Sequence, residues 1–312
     1  MNLPKIKNKY YIILVVALIF VLILGSFKVI DETIGKIIIT SYTKQNFDLD
    51  ANNFKKTMDL REWFKNNYSW TPGTISDYGR LFGFNTISTF LTGKGQCGEA
   101  SNLFYYMGKA LDLDVRIVYN YGEGHQWNEV LLDGNWRQID VSGDYPFDAP
   151  RQYENSGWDK KISLVYYNDE NGNLVNVTDQ YTDTGKLKIK VKDNNLLLAN
   201  MPIDIFSLFY IDKNYRAFFG QTNQQGEFET FVGDSNYIIA VSVPVIPFVL
   251  FRIAKKEIEV LPNQTKIITF DFYTESELIL NFELIVTAII FIFVIEINVI
   301  IRVIKKIWKK EK

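Results

Sequence analysis

The sequence contains one cysteine and one histidine, and both stand where they could do chemistry. Cys97 lies in GKGQCGEASNLF, residues 93–104, and His125 lies 28 positions later in GEGHQWNEV, residues 122–130. A lone cysteine is most often a small buried hydrophobe. Cys97, however, stands between Gly95 and Gly98 at the head of a helical pattern. Backbone N–H groups at a helix N-terminus lack partners, and the helix dipole there favours negative charge. A thiolate is therefore expected to be stabilised at Cys97. The two glycines are expected to leave room for a substrate, and the same N–H groups could join an oxyanion hole.

A thiolate needs a base, and the base needs an orienting group. The stretch HQWNEVLLDGNWRQIDV reads as two strands joined by Asp133-Gly134, a strong hairpin signal. With a two-residue loop, His125 faces Ser142 and Trp127 faces Asp140. His125 and Asp140 are then diagonal neighbours on one face, within side-chain reach. A three-residue loop would place them on opposite faces. Taken alone, each has a plainer reading, a structural histidine and a solvated strand carboxylate. In register they form Cys97 as nucleophile, His125 as acid and base, and Asp140 as orienter.

The elements that must position these groups are legible nearby. FKKTMDLREWFKNNY, residues 54–68, has helical spacing. GEASNLFYYMGKALD sets Ala100, Leu103, Phe104, Met107 and Leu111 on one apolar face. DVRIVYNY, residues 114–121, reads as a strand. From about Gly185 to Tyr273 the pattern turns to short alternating strands with turn residues between them, the signature of an antiparallel β-sandwich.

The blocks GKGQCGEASNLFYYMGKALDLDVRIV and GHQWNEVLLDGNWRQID, in that order and spacing, resemble the transglutaminase-like superfamily. The resemblance covers about 48–181 and implies a papain-like α+β core, with Cys97, His125 and Asp140 as the catalytic residues and no cofactor or metal. It also implies framing, packing roles for Trp127 and Trp136. The stretch SLVYYNDENGNLVNVTDQY is similar to the family's closing strands. Two positions depart from the family pattern. Asp140 is followed by Val-Ser-Gly instead of a Pro-Thr type pair, and Gly98 replaces a tryptophan found in several cross-linking members. Tyr68 and Trp70 are candidate oxyanion donors, although core packing is the better expectation for both. The reaction implied is acyl transfer through a thioester, with hydrolysis of peptide or protein amides favoured. The alternatives are protein cross-linking and a catalytically weak scaffold that binds cell-envelope components. GQTNQQGEFETFVGDSNYIIAV resembles carboxypeptidase-regulatory-like or transthyretin-like sandwich domains.

Two apolar runs flank these parts. Residues 10–27 carry no charge and follow Lys5, Lys7 and Lys9. Residues 278–301 precede Arg302, Lys305, Lys306, Lys309 and Lys310. Each is long enough to cross a bilayer, and the basic flanks place both termini in the cytoplasm. The first run reads as a retained signal-anchor, with a cleaved signal peptide as the competing reading. The order expected is a cytoplasmic 1–9, a span over 10–27, a linker over 28–47, a catalytic domain over 48–183, a sandwich over 184–275, a span over 278–301 and a basic tail over 302–312. The two domains would face outward from the cell membrane, and the partners would be a peptide or protein substrate and the lipid bilayer. A third run, 237–251, is short and contains Pro244 and Pro247, so it reads as a strand and an apolar loop. The net charge of -2 and mildly acidic pI argue against a general nucleic-acid binder. One cysteine and one histidine exclude an intrachain disulfide and a multi-Cys or multi-His zinc site.

Overall fold

The computed structural model describes residues 30–71, 85–120, 122, 124–151, 162–210, 213–246 and 250–280. The chain divides into two compact units, Met1–Thr182 and Asp183–Lys312.

In the first unit, helices α1 (Lys36–Asn46), α2 (Asn53–Asn67), α3 (Asn85–Thr92) and α4 (Cys97–Ala110) accompany a five-stranded sheet. That sheet has the order β5-β4-β3-β6-β7, built from β3 (Val115–Asn120), β4 (His125–Leu132), β5 (Asn135–Ile139), β6 (Tyr166–Asn168) and β7 (Leu174–Asn176). A short parallel pair, β1 (Ser69–Trp70) and β2 (Lys94–Gly95), links the end of α2 to the approach of α4. The apolar stripe of α4 is buried, with Ala100, Leu103, Phe104, Met107 and Leu111 packed in one core with Leu60 and Phe64 of α2 and Val130, Leu132 and Ile139 of the sheet. Each of these side chains larger than alanine is worth roughly 1.5–3 kcal/mol when removed from water. The stretch 28–47, expected to be a linker, contains α1, and its Ile39 is buried in this same core. Ile37, Ile38 and Ile39 are consecutive and mark no single face, so only the packing shows that Ile39 is the buried one.

The β4–β5 hairpin turns through Asp133 and Gly134, which both have positive φ, at 50° and 78°. Glycine adopts that conformation without the Cβ penalty other residues incur. Leu132 pairs with Asn135 and Asn128 with Ile139, the register the two-residue loop predicts.

The second unit is all-β apart from α5 (Phe272–Glu275). One sheet has the order β11-β10-β13-β14-β16, from β10 (Pro202–Tyr210), β11 (Lys213–Gln221), β13 (Ser235–Ile246), β14 (Leu250–Val260) and β16 (Glu277–Leu280). The other has the order β12-β8-β15, with β9 (Leu196–Leu197) added to β8. Its strands are β8 (Thr184–Asp193), β12 (Glu227–Gly233) and β15 (Thr265–Asp271). Along β8, Leu187, Ile189 and Val191 are buried while Lys186, Lys188, Lys190 and Lys192 form ion pairs with Glu227, Glu229 and Asp271. The unit is not wholly antiparallel, because β15 pairs with β8 in parallel. Alternation alone carries no information about strand direction.

The run 237–251 is strand for longer than expected: β13 continues through Pro244 to Ile246, with a bulge in its pairing with β14 between those two residues. β10 pairs with β13 only as far as Val241, so the missing proline N–H leaves no ladder bond broken on that side. Among the described residues no helix is long and apolar enough to cross a membrane. Residues 10–27 and 281–301 lie outside the described residues. The first three residues of the expected second span, 278–280, belong instead to β16, paired with β14.

Candidate active site

Cys97 is the first residue of α4 and is partly exposed. The helix head is closed by a capping box: the Gln96 side chain accepts from the Glu99 backbone, and Glu99 Oε2 accepts from Gln96 N at 3.0 Å. The box uses two of the four N–H groups that a helix start leaves without intrahelical partners. The amides of Cys97 and Gly98 are the first-turn donors it does not use. The Cys97 thiol donates to the carbonyl of Gly124 at 3.8 Å, immediately before His125.

The helix head is tied to the histidine strand by polar side chains. Ser101 Oγ donates to the Trp127 carbonyl at 3.1 Å, and Asn128 Nδ2 donates to the Ser101 carbonyl at 3.1 Å. Gln126 Nε2 donates to Ser101 Oγ at 3.2 Å. Gln126 and Asn128 are two apart and therefore share the strand face that meets α4. Their spacing was visible in HQWNEV as a polar alternation, but nothing in the sequence showed that a helix would cover it.

The structure brings the three predicted residues together. His125 Nε2 lies 2.7 Å from Asp140 Oδ2, and both residues are buried, at 4% and 2% exposed. Asp140 stands just past β5, on the diagonal that the hairpin register predicts. With Nε2 held by the carboxylate, Nδ1 is the ring nitrogen left for the thiol. Burial pushes the His125 imidazolium toward deprotonation. The charge of Asp140 and its hydrogen bond, together with a hydrogen bond to Cys97, outweigh that and raise the pKa to about 10. Burial likewise pushes the Asp140 carboxyl up, but His125 and Ser142 outweigh it and hold the group below the usual carboxylate range.

Ser142 is a site residue that sequence reasoning missed. Its backbone N–H and its hydroxyl both donate to Asp140 Oδ1, at 2.9 and 2.7 Å. One carboxylate oxygen is thus committed to the serine turn and the other to the histidine. The Val-Ser-Gly that departs from the family pattern supplies this turn.

Other expectations are revised. Gly95 does not make room for a substrate: a Cβ there would meet Glu99 Cβ at 2.8 Å and the Tyr68 hydroxyl at 3.3 Å, so its small size serves packing. At Gly98 a Cβ would meet only Gln126 Oε1, at 3.6 Å, an ordinary contact. Tyr68 packs in the core and donates to the Gln96 carbonyl at 2.8 Å. Burial and the nearby charges of Glu99, Cys97 and Asp140 raise its phenol pKa. Trp70 is not a core residue; it is 55% exposed. It lines a cleft of about 230 Å³ together with Arg61, Phe64, Lys65, Tyr68 and residues 140–144. Trp127 is buried with its ring 5.4 Å from that of His125. Its indole N–H donates to the Tyr181 hydroxyl at 3.0 Å, and that hydroxyl donates to Glu129, which also pairs with Arg116. Trp136 instead stacks on the Arg116 guanidinium, at 4.2 Å. Tyr145, whose ring centre is 6.3 Å from that of His125, has its phenol pKa raised by burial and by Asp140 and Cys97. Among the described residues no group of three His, Cys, Asp or Glu side chains could hold a metal.

A helix-borne thiol, a strand-borne imidazole and a buried carboxylate just past the next strand of the hairpin form the arrangement the resemblance to transglutaminase-like domains implies. Residues 41–141 match the family model described as the transglutaminase-like superfamily. Among curated proteins the chain is similar to the peptide-N(4)-(N-acetyl-beta-glucosaminyl)asparagine amidase of Drosophila melanogaster, with 35% identity over 109 residues, which is 33% of this chain and 16% of the amidase. It is also 35% identical over 113 residues to the amidase of that name from Saccharomyces cerevisiae, covering 35% of this chain and 30% of the relative. The chain thus spans less than a third of the length of these two relatives. A solved structure of a proposed cysteine protease from Cytophaga hutchinsonii aligns with a TM-score of 0.30 and 17% identity, covering 46% of this chain and 48% of that one.

Proposed function

We propose that the chain is a cysteine amidohydrolase that cleaves amide bonds of peptides or proteins through a thioester, and that it works outside the cell while anchored in the membrane. The observation that carries the chemistry is the 2.7 Å contact of His125 Nε2 with Asp140 Oδ2, with the Cys97 thiol at the head of α4 donating to the carbonyl of Gly124, the residue before His125. The amidase direction is supported by the relatives' activity, named for an asparagine-linked amide. The anchoring rests on the two apolar runs and their basic flanks.

In this reading the Cys97 thiolate attacks the amide carbonyl carbon. The oxyanion that forms is held by first-turn amides of α4. The C–N bond breaks as the His125 imidazolium gives its proton to the leaving nitrogen, and a thioester remains on Cys97. His125, now neutral, takes a proton from water. The resulting hydroxide adds to the thioester, the C–S bond breaks, and the acid leaves. Thiolate and imidazolium are restored. Asp140 keeps the ring oriented and its cation stabilised throughout.

The test uses the full chain with peptides bearing asparagine or glutamine side-chain amides, free and glycosylated, in H₂¹⁸O. Mass spectrometry should find an acyl adduct on the peptide containing Cys97, and one ¹⁸O atom in the product carboxyl. An amine-linked product without ¹⁸O would assign cross-linking instead. No adduct, and no product that Cys97→Ser abolishes, would sink the enzyme reading and leave a binding scaffold.

A further inference from the structure

The end of β16 and the end of β13 level with it expose apolar side chains. β16 is the last strand of its sheet, and it pairs antiparallel with β14 so that Arg252 faces Leu278, Phe251 faces Ile279 and Leu250 faces Leu280. Leu278 and Ile279 are consecutive, so they point to opposite faces of the sheet. Both are nevertheless exposed, at 64% and 39%. Pro244 and Val245 are exposed at the same end, where Pro244 pairs with Phe251. Sheets ordinarily guard an open edge with charge, proline or a covering element. After Glu277 this edge has none of these among the described residues.

In an antiparallel pair the end of one strand lies level with the start of the other. β16 therefore runs toward the level of Leu250, the start of β14. The chain that follows is the apolar run 281–301, uncharged from Leu284 to Ile295. As a helix its 21 residues would reach about 31 Å, close to the ~30 Å hydrocarbon core. Arg252 secures this geometry on the other side of Leu278. Its guanidinium donates to Asp193 and Ser276, each at 2.9 Å, and to the Phe272 carbonyl. β16 is thereby held at its start, at the level where a polar group belongs if Leu278 meets the headgroups.

We infer that the exposed Pro244, Val245, Leu278 and Ile279 form a membrane-contact surface that seats this sheet end in the interfacial layer of a lipid bilayer. This rests on the reading of 281–301 as a span. The sheet is then held to the membrane by two features, the span and the apolar edge, which fixes its orientation as well as its attachment.

The test uses the full-length chain in phosphatidylcholine–phosphatidylglycerol vesicles, with Cys97→Ser and one new cysteine at Val245, Leu278 or Ile267. Ile267 is the control, 67% exposed on β15 in the other sheet. Each cysteine carries an environment-sensitive fluorophore, and the lipids carry a nitroxide near the headgroup. Quenching of at least twofold at 245 and 278, with none at 267, is expected. If the chain floats with the vesicles but 245 is quenched no more than 267, the contact surface is wrong and the anchor stands. If the chain does not float with vesicles, the anchor is wrong and the surface falls with it. All three positions are exposed, and thermal melts of the variants matching the parent show that labelling reads position and not misfolding.

Discussion

Replacing Asp140 by Asn keeps the shape of the site and removes its buried negative charge. His125 is 4% exposed, so no solvent takes the charge's place. Two unit charges about 4 Å apart at an effective dielectric of about 20 attract by roughly 4 kcal/mol, which is about three pKa units at 1.36 kcal/mol each. That attraction, aided by Cys97, has to outweigh burial for the imidazole to rise from 6.5 to about 10. In Asp140→Asn only Cys97 is left to oppose burial, and the midpoint should fall by about three units, about a thousandfold change in the imidazolium to imidazole ratio. His125 is the only histidine, so a single ¹³C- or ¹⁵N-histidine resonance followed from pH 5 to 11 reads this midpoint with no assignment problem. The same shift sets a stability window. Because the folded pKa lies above the unfolded one, the stabilisation is fully present below about 6.5 and is lost as the pH rises through about 10. The parent should therefore lose thermal stability between pH 7 and 10 more steeply than the variant. Amide hydrolysis near pH 7 should fall by roughly 10²–10⁴, the usual size of general acid–base catalysis. A variant midpoint within one unit of the parent's would refute the reasoning, since the contact with Asp140 would then not be what charges the ring.

Three further predictions follow from neighbouring contacts. Ser142→Ala removes a hydrogen bond to a buried carboxylate and should cost roughly 1.5–3 kcal/mol in urea unfolding, with the His125 midpoint moving down because Asp140 ionises less readily. Gly95→Ala sets a Cβ 2.8 Å from that of Glu99; by the usual cost of overpacking it should destabilise by about 1–3 kcal/mol and slow alkylation of Cys97, whereas Gly98→Ala should leave both nearly unchanged. Tyr181→Phe deletes the hydroxyl joining Trp127 to Glu129; it should lower stability by about 1–3 kcal/mol, and a crystal structure of the variant should show the Trp127 ring displaced from its 5.4 Å approach to His125.

Much of the site could be read in the sequence because it depends on local geometry. A sole cysteine opening an apolar-striped helix, and an Asp-Gly turn that sets a hairpin register, are rules of short range. They were enough to bring His125 and Asp140 to one diagonal, as the structure shows at 2.7 Å. The strands of the second unit were legible for the same reason, since alternation has a fixed period of two. The parallel pairing of β15 with β8 was not, because parallel and antiparallel strands alternate alike.

Long-range contacts decided the rest. Ser142 looked like a departure from a motif until its hydroxyl and amide were seen on Asp140. Gly95 looked like room for a substrate until Glu99 and Tyr68 were seen filling that room. Ser101, Gln126 and Asn128 acquire their role only where α4 meets β4. Leu278 and Ile279 read as the start of a hydrophobic run, and it is their pairing with β14 that makes them a sheet edge. Composition and period determine which residues prefer burial and which segments become helix or strand. Which polar atom meets which is settled only when segments distant in the chain close on one another, since a hydrogen bond depends on a few tenths of an ångström that no local rule specifies.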